Sequence, residues 1–186
     1  MITSNLLFQK YKNEIANQLY TKFNFTSKMQ IPKLEKIVVN MTAGNKVNDS
    51  KAVEAVMSEL SLITGQKPFQ TVAKKSLASW KIREKMPMGG KVTLRKERMW
   101  NFLQKMIDII IPRIRDFRGF STSSFDSQAN YAFGIPEHII FPEIEFDKIK
   151  QIKGLDVIIV TSTNIKAESY ALLKALGFPF KGELNG

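Results

Sequence analysis

No cysteine occurs among the 186 residues, which excludes disulfides, thiolate metal sites and cysteine nucleophiles, and fits a reducing compartment. Histidine is nearly missing as well. The single His138 lies beside Glu137 and near Glu143, but one imidazole without a second His or a Cys is a poor metal or acid–base centre, and a surface or interface position is expected for it. Long apolar runs are lacking: 109–111 and 157–160 are far too short to cross a bilayer. The N-terminal stretch MITSNLLFQKYKNEIANQLY has no basic region followed by an apolar one, so a cytoplasmic location without a membrane partner is expected. Negative charge is scarce too, with 17 Asp and Glu against 28 Lys and Arg for a net charge of +11.

That excess is concentrated. Residues 66–98, QKPFQTVAKKSLASWKIREKMPMGGKVTLRKER, carry ten Lys or Arg and two Glu, a net +8 that leaves +3 for the remaining 153 residues. Such crowding costs free energy by self-repulsion unless a polyanion neutralises it. The basic positions are interleaved with Phe69, Trp80, Met86 and Met88, whereas a disordered basic tail would be poor in apolar residues. The segment closes in an alternating piece in which Val92 and Leu94 would face a core while Lys91, Thr93 and Arg95 face out. Strand, loop, strand with basic outward positions is the footprint of a nucleic-acid-binding surface.

Along the chain, Leu7, Tyr11, Ile15, Leu19 and Phe23 recur at every fourth position and predict an amphipathic helix over 4–23. Pro32 ends a connector. Residues 34–42 form the first strand, with Ile37, Val39 and Met41 on one side and Lys36, Val38, Asn40 and Thr42 on the other. A helix capped near Asp49 follows, its stripe Val53, Val56, Met57, Leu60 and Ile63, closed by Gly65. Residues 67–73 form a second strand. The stretch 74–90 reads as a protruding loop, in which the glycines of Pro87-Met88-Gly89-Gly90 can adopt positive φ.

The third strand covers 91–95. A helix then carries Met99, Phe102, Leu103, Met106, Ile107 and Ile110 and ends near Pro112. Arg113, Arg115 and Arg118 follow, then a Ser-rich loop, a strand over 131–135 and the one acidic neighbourhood, 136–147. Residues 155–163 form a strand whose β-branched residues on both faces predict a central place in the sheet. Asn164 is placed to cap a final helix over 166–176. The expectation is a single α/β (α+β) domain over 1–186: an antiparallel or mixed sheet with helices on one face and the other left open. The open face would gather Lys36, Asn40, Thr42, Lys91, Thr93 and Arg95, a platform able to meet an RNA backbone.

Enzyme signatures are not found. Lys85-Met86-Pro87-Met88-Gly89-Gly90-Lys91 departs from a phosphate-binding loop, with Lys85 where its first Gly belongs and Val92 where Ser or Thr belongs. No Ser sits in a nucleophile elbow. Glu143 and Glu145 fall on one side of an extended chain, which suits docking on a basic partner as well as catalysis. The Arg113, Arg115 and Arg118 cluster reads as an RNA contact, compatible with a helix C-terminal role. A single-strand binder would show aromatics at outward strand positions, and these are Lys, Asn, Thr and Arg.

The strings GQKP (65–68), KVTLR-x-ERMW (91–100), PRIRDFRG (112–119) and IIFPEI-x-F-D (139–147) resemble the bacterial type of the fifth protein of the large ribosomal subunit, the family that binds 5S rRNA. The similarity runs from Tyr11 to Phe180. The resemblance implies a largely antiparallel sheet with helices on its convex side, whose concave face and adjoining loops grip 5S rRNA in the central protuberance. It implies no cofactor and no catalysis. By position, Asn40, Gln66 (with Lys67 beside it) and Thr93 correspond to RNA-reading residues. The family's tRNA-reaching loop maps to 79–90, with Ser79, Trp80, Lys81, Arg83, Lys85, Met86, Gly89 and Gly90 as the members that would touch P-site tRNA. The part containing Phe141, Glu143, Glu145 and Asp147 is similar to the contact with the thirteenth small-subunit protein. Further implied partners are 23S rRNA and other proteins of the central protuberance. One departure stands out: the family turn Asn-Met-Gly-x-Gly reads Asn40-Met41-Thr42-Ala43-Gly44 here, so a role needing a bare backbone at Thr42 is not supported.

Overall fold

The structure, a computed structural model, describes residues 5–44, 49–145, 149 and 151–183. The first helix, α1, runs through three consecutive segments, Leu6–Lys10, a π turn at Tyr11–Ile15, and Ala16–Phe23. Asn5 caps it, its side chain accepting from the Phe8 N–H, and Asn24 ends it in the left-handed region. Strand β1 is Leu34–Thr42 and helix α2 is Ser50–Thr64. Asp49 accepts from the Lys51 N–H at the start of α2, and Gly65 closes it at φ 63°. Strands β2 (Phe69–Val72) and β3 (Pro87–Leu94) follow. Helix α3 comprises Lys96–Lys105, a π turn at Met106–Ile110, and Ile111–Arg113. Strands β4 (Phe120–Ser121), β5 (Tyr131–Ile135) and β6 (Leu155–Thr161), helix α4 (Lys166–Ala175) and strand β7 (Phe180–Lys181) complete the chain.

Five strands form an antiparallel sheet in the order β2-β3-β1-β6-β5, and β4 pairs in parallel with β7. The expected interior place of β6 is therefore observed. The alternation of β1 holds as read: Ile37, Val39 and Met41 are buried, while Lys36, Val38 and Asn40 are half-buried and Thr42 is exposed.

The chain packs as two compact units. One comprises Met1–Ile37, Arg95–Phe133 and Ile158–Gly186. Its α1 buries Ile15 and Leu19, and Trp100 of α3 meets Phe8 and Tyr11 at 5.4 and 5.5 Å between ring centres. An aromatic cluster joins Phe120, Phe125, Tyr131, Phe133, Phe178 and Phe180, with Phe120 stacked on Phe178 at 4.9 Å. The Tyr131 hydroxyl donates to Ser121 O at 2.8 Å, and burial pushes its pKa up to about 12. Asn164 does not cap α4; the Thr163 hydroxyl accepts from the Ile165 N–H and contacts the Glu168 carboxylate. The helix therefore starts from Ile165 as its N-cap residue, without a side-chain cap.

The other unit comprises Val38–Leu94 and Gly134–Val157. Helix α2 lies on β3, with Val53, Val56, Leu60 and Ile63 buried beside Val92 and Leu94. The sequence reading begins β3 at Lys91, whereas the strand starts at Pro87 and the connection from β2 is shorter than 74–90. Gly89 and Gly90 are buried strand residues without positive φ. A Cβ on Gly89 would overlap Met41 O and sit 2.7 Å from Thr42 Cα; one on Gly90 would sit 2.7 Å from Met57 Sδ. Close approach to β1 and α2, not backbone flexibility, is what these glycines supply.

Candidate nucleic-acid interface

Helix α2 fixes which side of β3 is free. Because Val92, Leu94 and Gly90 face the helix, alternation sends Lys91 and Thr93 to the opposite side, where Lys91 is exposed and Thr93 half-buried. β1 is hydrogen-bonded beside β3, and its Asn40 and Thr42 likewise occupy positions opposite the buried ones. Gln66 joins them through the end of α2. Gly65 turns the chain, the Thr64 hydroxyl bonds to Leu60 O at 2.7 Å and Gln66 O at 3.2 Å, and the Gln66 side-chain amide donates to Thr93 O at 3.3 Å. Gln66 and Thr93, far apart in sequence, are thereby held in one place, with exposed Lys67 next in the chain.

Thr42 sits on the rim of a cleft of about 550 Å³ whose other walls include Gly44, Gly134, Pro136, Lys153 and Asp156. Thr42 is packed closely from across the strand pair by Gly89, whose missing Cβ leaves room for Thr42 Cα.

Sequence reasoning left one residue out. Antiparallel register pairs Phe69 with Lys91 and Thr71 with Gly89, so Phe69 stands on the same side as Lys91 and is 73% exposed. Pro68, buried near the Cβ position of Gly90, faces the helix side and forces its neighbour outward. The expectation that outward strand positions carry no aromatic is therefore corrected. The signal was present in the Pro68-Phe69 alternation, but a phenylalanine reads as core by default.

The connection between β2 and β3 spans 73–86 and is ordered by its own hydrogen bonds. The Ala73 N–H donates to Met86 O and the Lys85 N–H to Ala73 O, both at 2.9 Å. Further out, Leu77 and Ile82 exchange backbone bonds at 2.9 and 3.1 Å, and the Glu84 N–H donates to Ser76 Oγ. Ile82 is buried, while Ser79, Trp80 (71% exposed), Lys81, Arg83 and Lys85 project into solvent and Met86 is half-buried. Positive φ falls on Lys81 and Lys85, not on Gly89 and Gly90, which leave the set of loop residues.

In the other unit Lys36 is half-buried, and Arg95, Arg113, Arg115 and Arg118 are all exposed. Arg113 ends α3, and Gly119, at φ 96°, lies too close to Lys181 N for a Cβ to fit easily.

The acidic neighbourhood differs from expectation. Phe141 is wholly buried, so its side chain cannot be a partner contact. Glu143 and Glu145 are exposed, but Glu143 lies within, and Glu145 directly after, a turn closed by the Ile144 N–H to Phe141 O rather than on one extended segment; Asp147 lies outside the described residues. His138, expected at the surface, is also wholly buried. Its amide donates to Lys153 O, its Nδ1 accepts from the Lys153 N–H at 3.2 Å, and its Nε2 lies 3.4 Å from Glu59 of α2. The Lys153 ammonium spans both Glu59 oxygens at 2.8 and 2.9 Å.

A basic α/β protein whose strand side opposite the helix bears amides, hydroxyls and lysines fits the class that binds a nucleic-acid scaffold. Among the described residues no cluster of three His, Cys, Asp or Glu could hold a metal, and no helix is long and apolar enough to cross a membrane.

Residues 27–83 match the family described as Ribosomal protein L5, and residues 87–180 match the C-terminus of the same ribosomal protein family. The large ribosomal subunit protein uL5 of Mycoplasmopsis synoviae is 62% identical over 94% of both chains. Those of Malacoplasma penetrans and Oceanobacillus iheyensis are 54% and 52% identical over 97% and 95% of this chain and 96% and 99% of their own. The chain belongs to the L5 family of large ribosomal subunit proteins. It is a structural constituent of the cytoplasmic ribosome, assembled with rRNA and ribosomal proteins, and not an enzyme.

Proposed function

We propose that the strand side bearing Asn40, Thr42, Gln66, Lys67, Lys91 and Thr93 binds 5S rRNA and anchors it in the central protuberance. The observation that carries this is the alternation of β3, which puts Lys91 and Thr93 on the side opposite the helix, with the Gln66 amide held beside them by its bond to the Thr93 backbone carbonyl. Lysines neutralise phosphates and release counterions, while short polar groups form directional bonds to sugar hydroxyls and base edges. Charge supplies affinity and the short groups supply register. Arg95, Arg113, Arg115, Arg118 and Lys36 serve as further rRNA contacts, 23S rRNA among them. The 73–86 hairpin presents Trp80, Lys81, Arg83 and Lys85 to P-site tRNA. The turn carrying Glu143 and Glu145 meets the basic thirteenth small-subunit protein.

Replacing Asn40 or Thr93 with Ala weakens 5S rRNA binding by ~1 to 3 kcal/mol with little change in salt slope. A filter-binding titration that gives a shallower slope and unchanged affinity at low salt removes them from the recognition set.

A further inference from the structure

Among the described residues only two aromatics are exposed, Phe69 and Trp80, and both fall in the segment that supplies +8 of the net charge. Trp80 tips the hairpin. Phe69 stands on the sheet itself, at the outer edge, since β2 pairs only with β3. No ring among the described residues lies against it. An exposed phenylalanine on an edge strand is open to contact by a partner.

The surroundings decide what that is. In antiparallel register Phe69 lies directly opposite Lys91, which places their Cβ atoms about 5 Å apart on one side of the sheet. Thr71 is next on the same side of β2, opposite Gly89, and Thr93 is next on the same side of β3. A protein partner covering this ring with apolar side chains would have to desolvate a lysine and two hydroxyls beside it. A nucleotide offers the complementary pair in a single unit, a flat π-face for the ring and a phosphate for the ammonium.

We propose that Phe69 is a stacking platform for one unpaired base of the RNA held by this face, with Lys91 neutralising a phosphate adjoining that base. The inference deepens the 5S rRNA reading and rests on it. Thr71, opposite Gly89 on the same side of the strand pair, places a further hydroxyl beside the ring.

The test measures binding of the full chain to transcribed 5S rRNA at several salt concentrations, for the wild type and for Phe69→Ala, Phe69→Leu, Phe69→Tyr, Asn40→Ala and Thr93→Ala. Stacking predicts a loss of roughly 5- to 100-fold for Phe69→Ala. Phe69→Leu, which keeps bulk but no π-face, loses as much, Phe69→Tyr stays within about twofold of wild type, and the salt slope does not move. Because the side chain lies in solvent, unchanged thermal melting of all three variants is expected. Phe69→Leu binding like the wild type overturns the inference, since an apolar contact then suffices. Phe69→Ala binding like the wild type while Asn40→Ala and Thr93→Ala weaken also overturns it and leaves the 5S reading standing. If the wild type does not bind 5S rRNA, or none of the three Ala variants weakens, the 5S reading falls and the inference falls with it.

Discussion

His138 has no surface in water; its Nδ1 lies 3.2 Å from the Lys153 amide nitrogen and 3.1 Å from Lys153 O, and its other ring nitrogen is Nε2. That nitrogen has no hydrogen-bond partner among the described residues, although Glu59 lies 3.4 Å away. Burial lowers the His138 pKa below its ordinary 6.5, the Lys153 ammonium lowers it further, and the Glu59 carboxylate pulls the other way without reversing the direction. A folded-state pKa below the unfolded value means that the unfolded chain takes up the proton first. The neutral ring's contribution is thus complete above pH 6.5 and is lost as the pH falls through and below it. The steepest loss one such group can cause is about 1.4 kcal/mol per pH unit. His138→Gln keeps a polar side chain that does not titrate in this range. Urea unfolding at about pH 7.5 and about pH 5.5 is expected to show a larger drop for the wild type than for the variant. Equal drops would mean that the ring titrates as if in water. Nothing in the sequence around Glu137-His138 foretold this burial, because the partners, Glu59 and Lys153, come from 79 residues before and 15 residues after.

At the scale of elements, what could be read in advance was what repeats locally. β1 shows its period of two, α2 and α3 show stripes at three and four, and Asp49 and Gly65 mark the ends of α2 as expected. What escaped depends on contacts between elements. Gly89 and Gly90 look like a flexible turn until β1 and α2 are seen to press against the positions of their absent Cβ atoms. Phe141 stands among the glutamates of the acidic neighbourhood in sequence, yet it is wholly buried directly after the short 3-10 turn at His138–Ile140. The 73–86 hairpin likewise reads as formless, although Ile82 is buried and two pairs of backbone bonds tie its limbs. That order makes the hairpin a separable device. Replacing Lys81, Arg83 and Lys85 together with Ala removes three exposed cations without touching these bonds. The triple variant is expected to keep 5S rRNA binding within about twofold, while ribosomes carrying it release P-site tRNA several-fold faster, since each lost phosphate contact weakens only the RNA it faces. Parallel measurement of both affinities checks this, and an equal loss of each would assign the hairpin to the 5S site.

For the whole molecule the question is whether +11 acts as a diffuse charge or as a footprint. A diffuse charge attracts any polyanion, and removing any two cations weakens it alike. A footprint releases counterions only where phosphates are met, with each contact adding about 0.7 to 0.9 to the log–log slope of binding constant against salt. Lys67 and Lys91 flank the Gln66 and Thr93 pair, whereas Lys12 and Lys22 are exposed on α1. Both double Ala variants take the net charge from +11 to +9. The Lys67 and Lys91 variant is expected to flatten the slope for 5S rRNA by about 1.5, and the Lys12 and Lys22 variant by about 0.3 or less. Titrations between about 50 and 300 mM salt separate the two, because a slope change of that size alters affinity several-fold across the range. Identical slopes for both variants would locate the affinity in the net charge of the chain and leave the strand face with register alone.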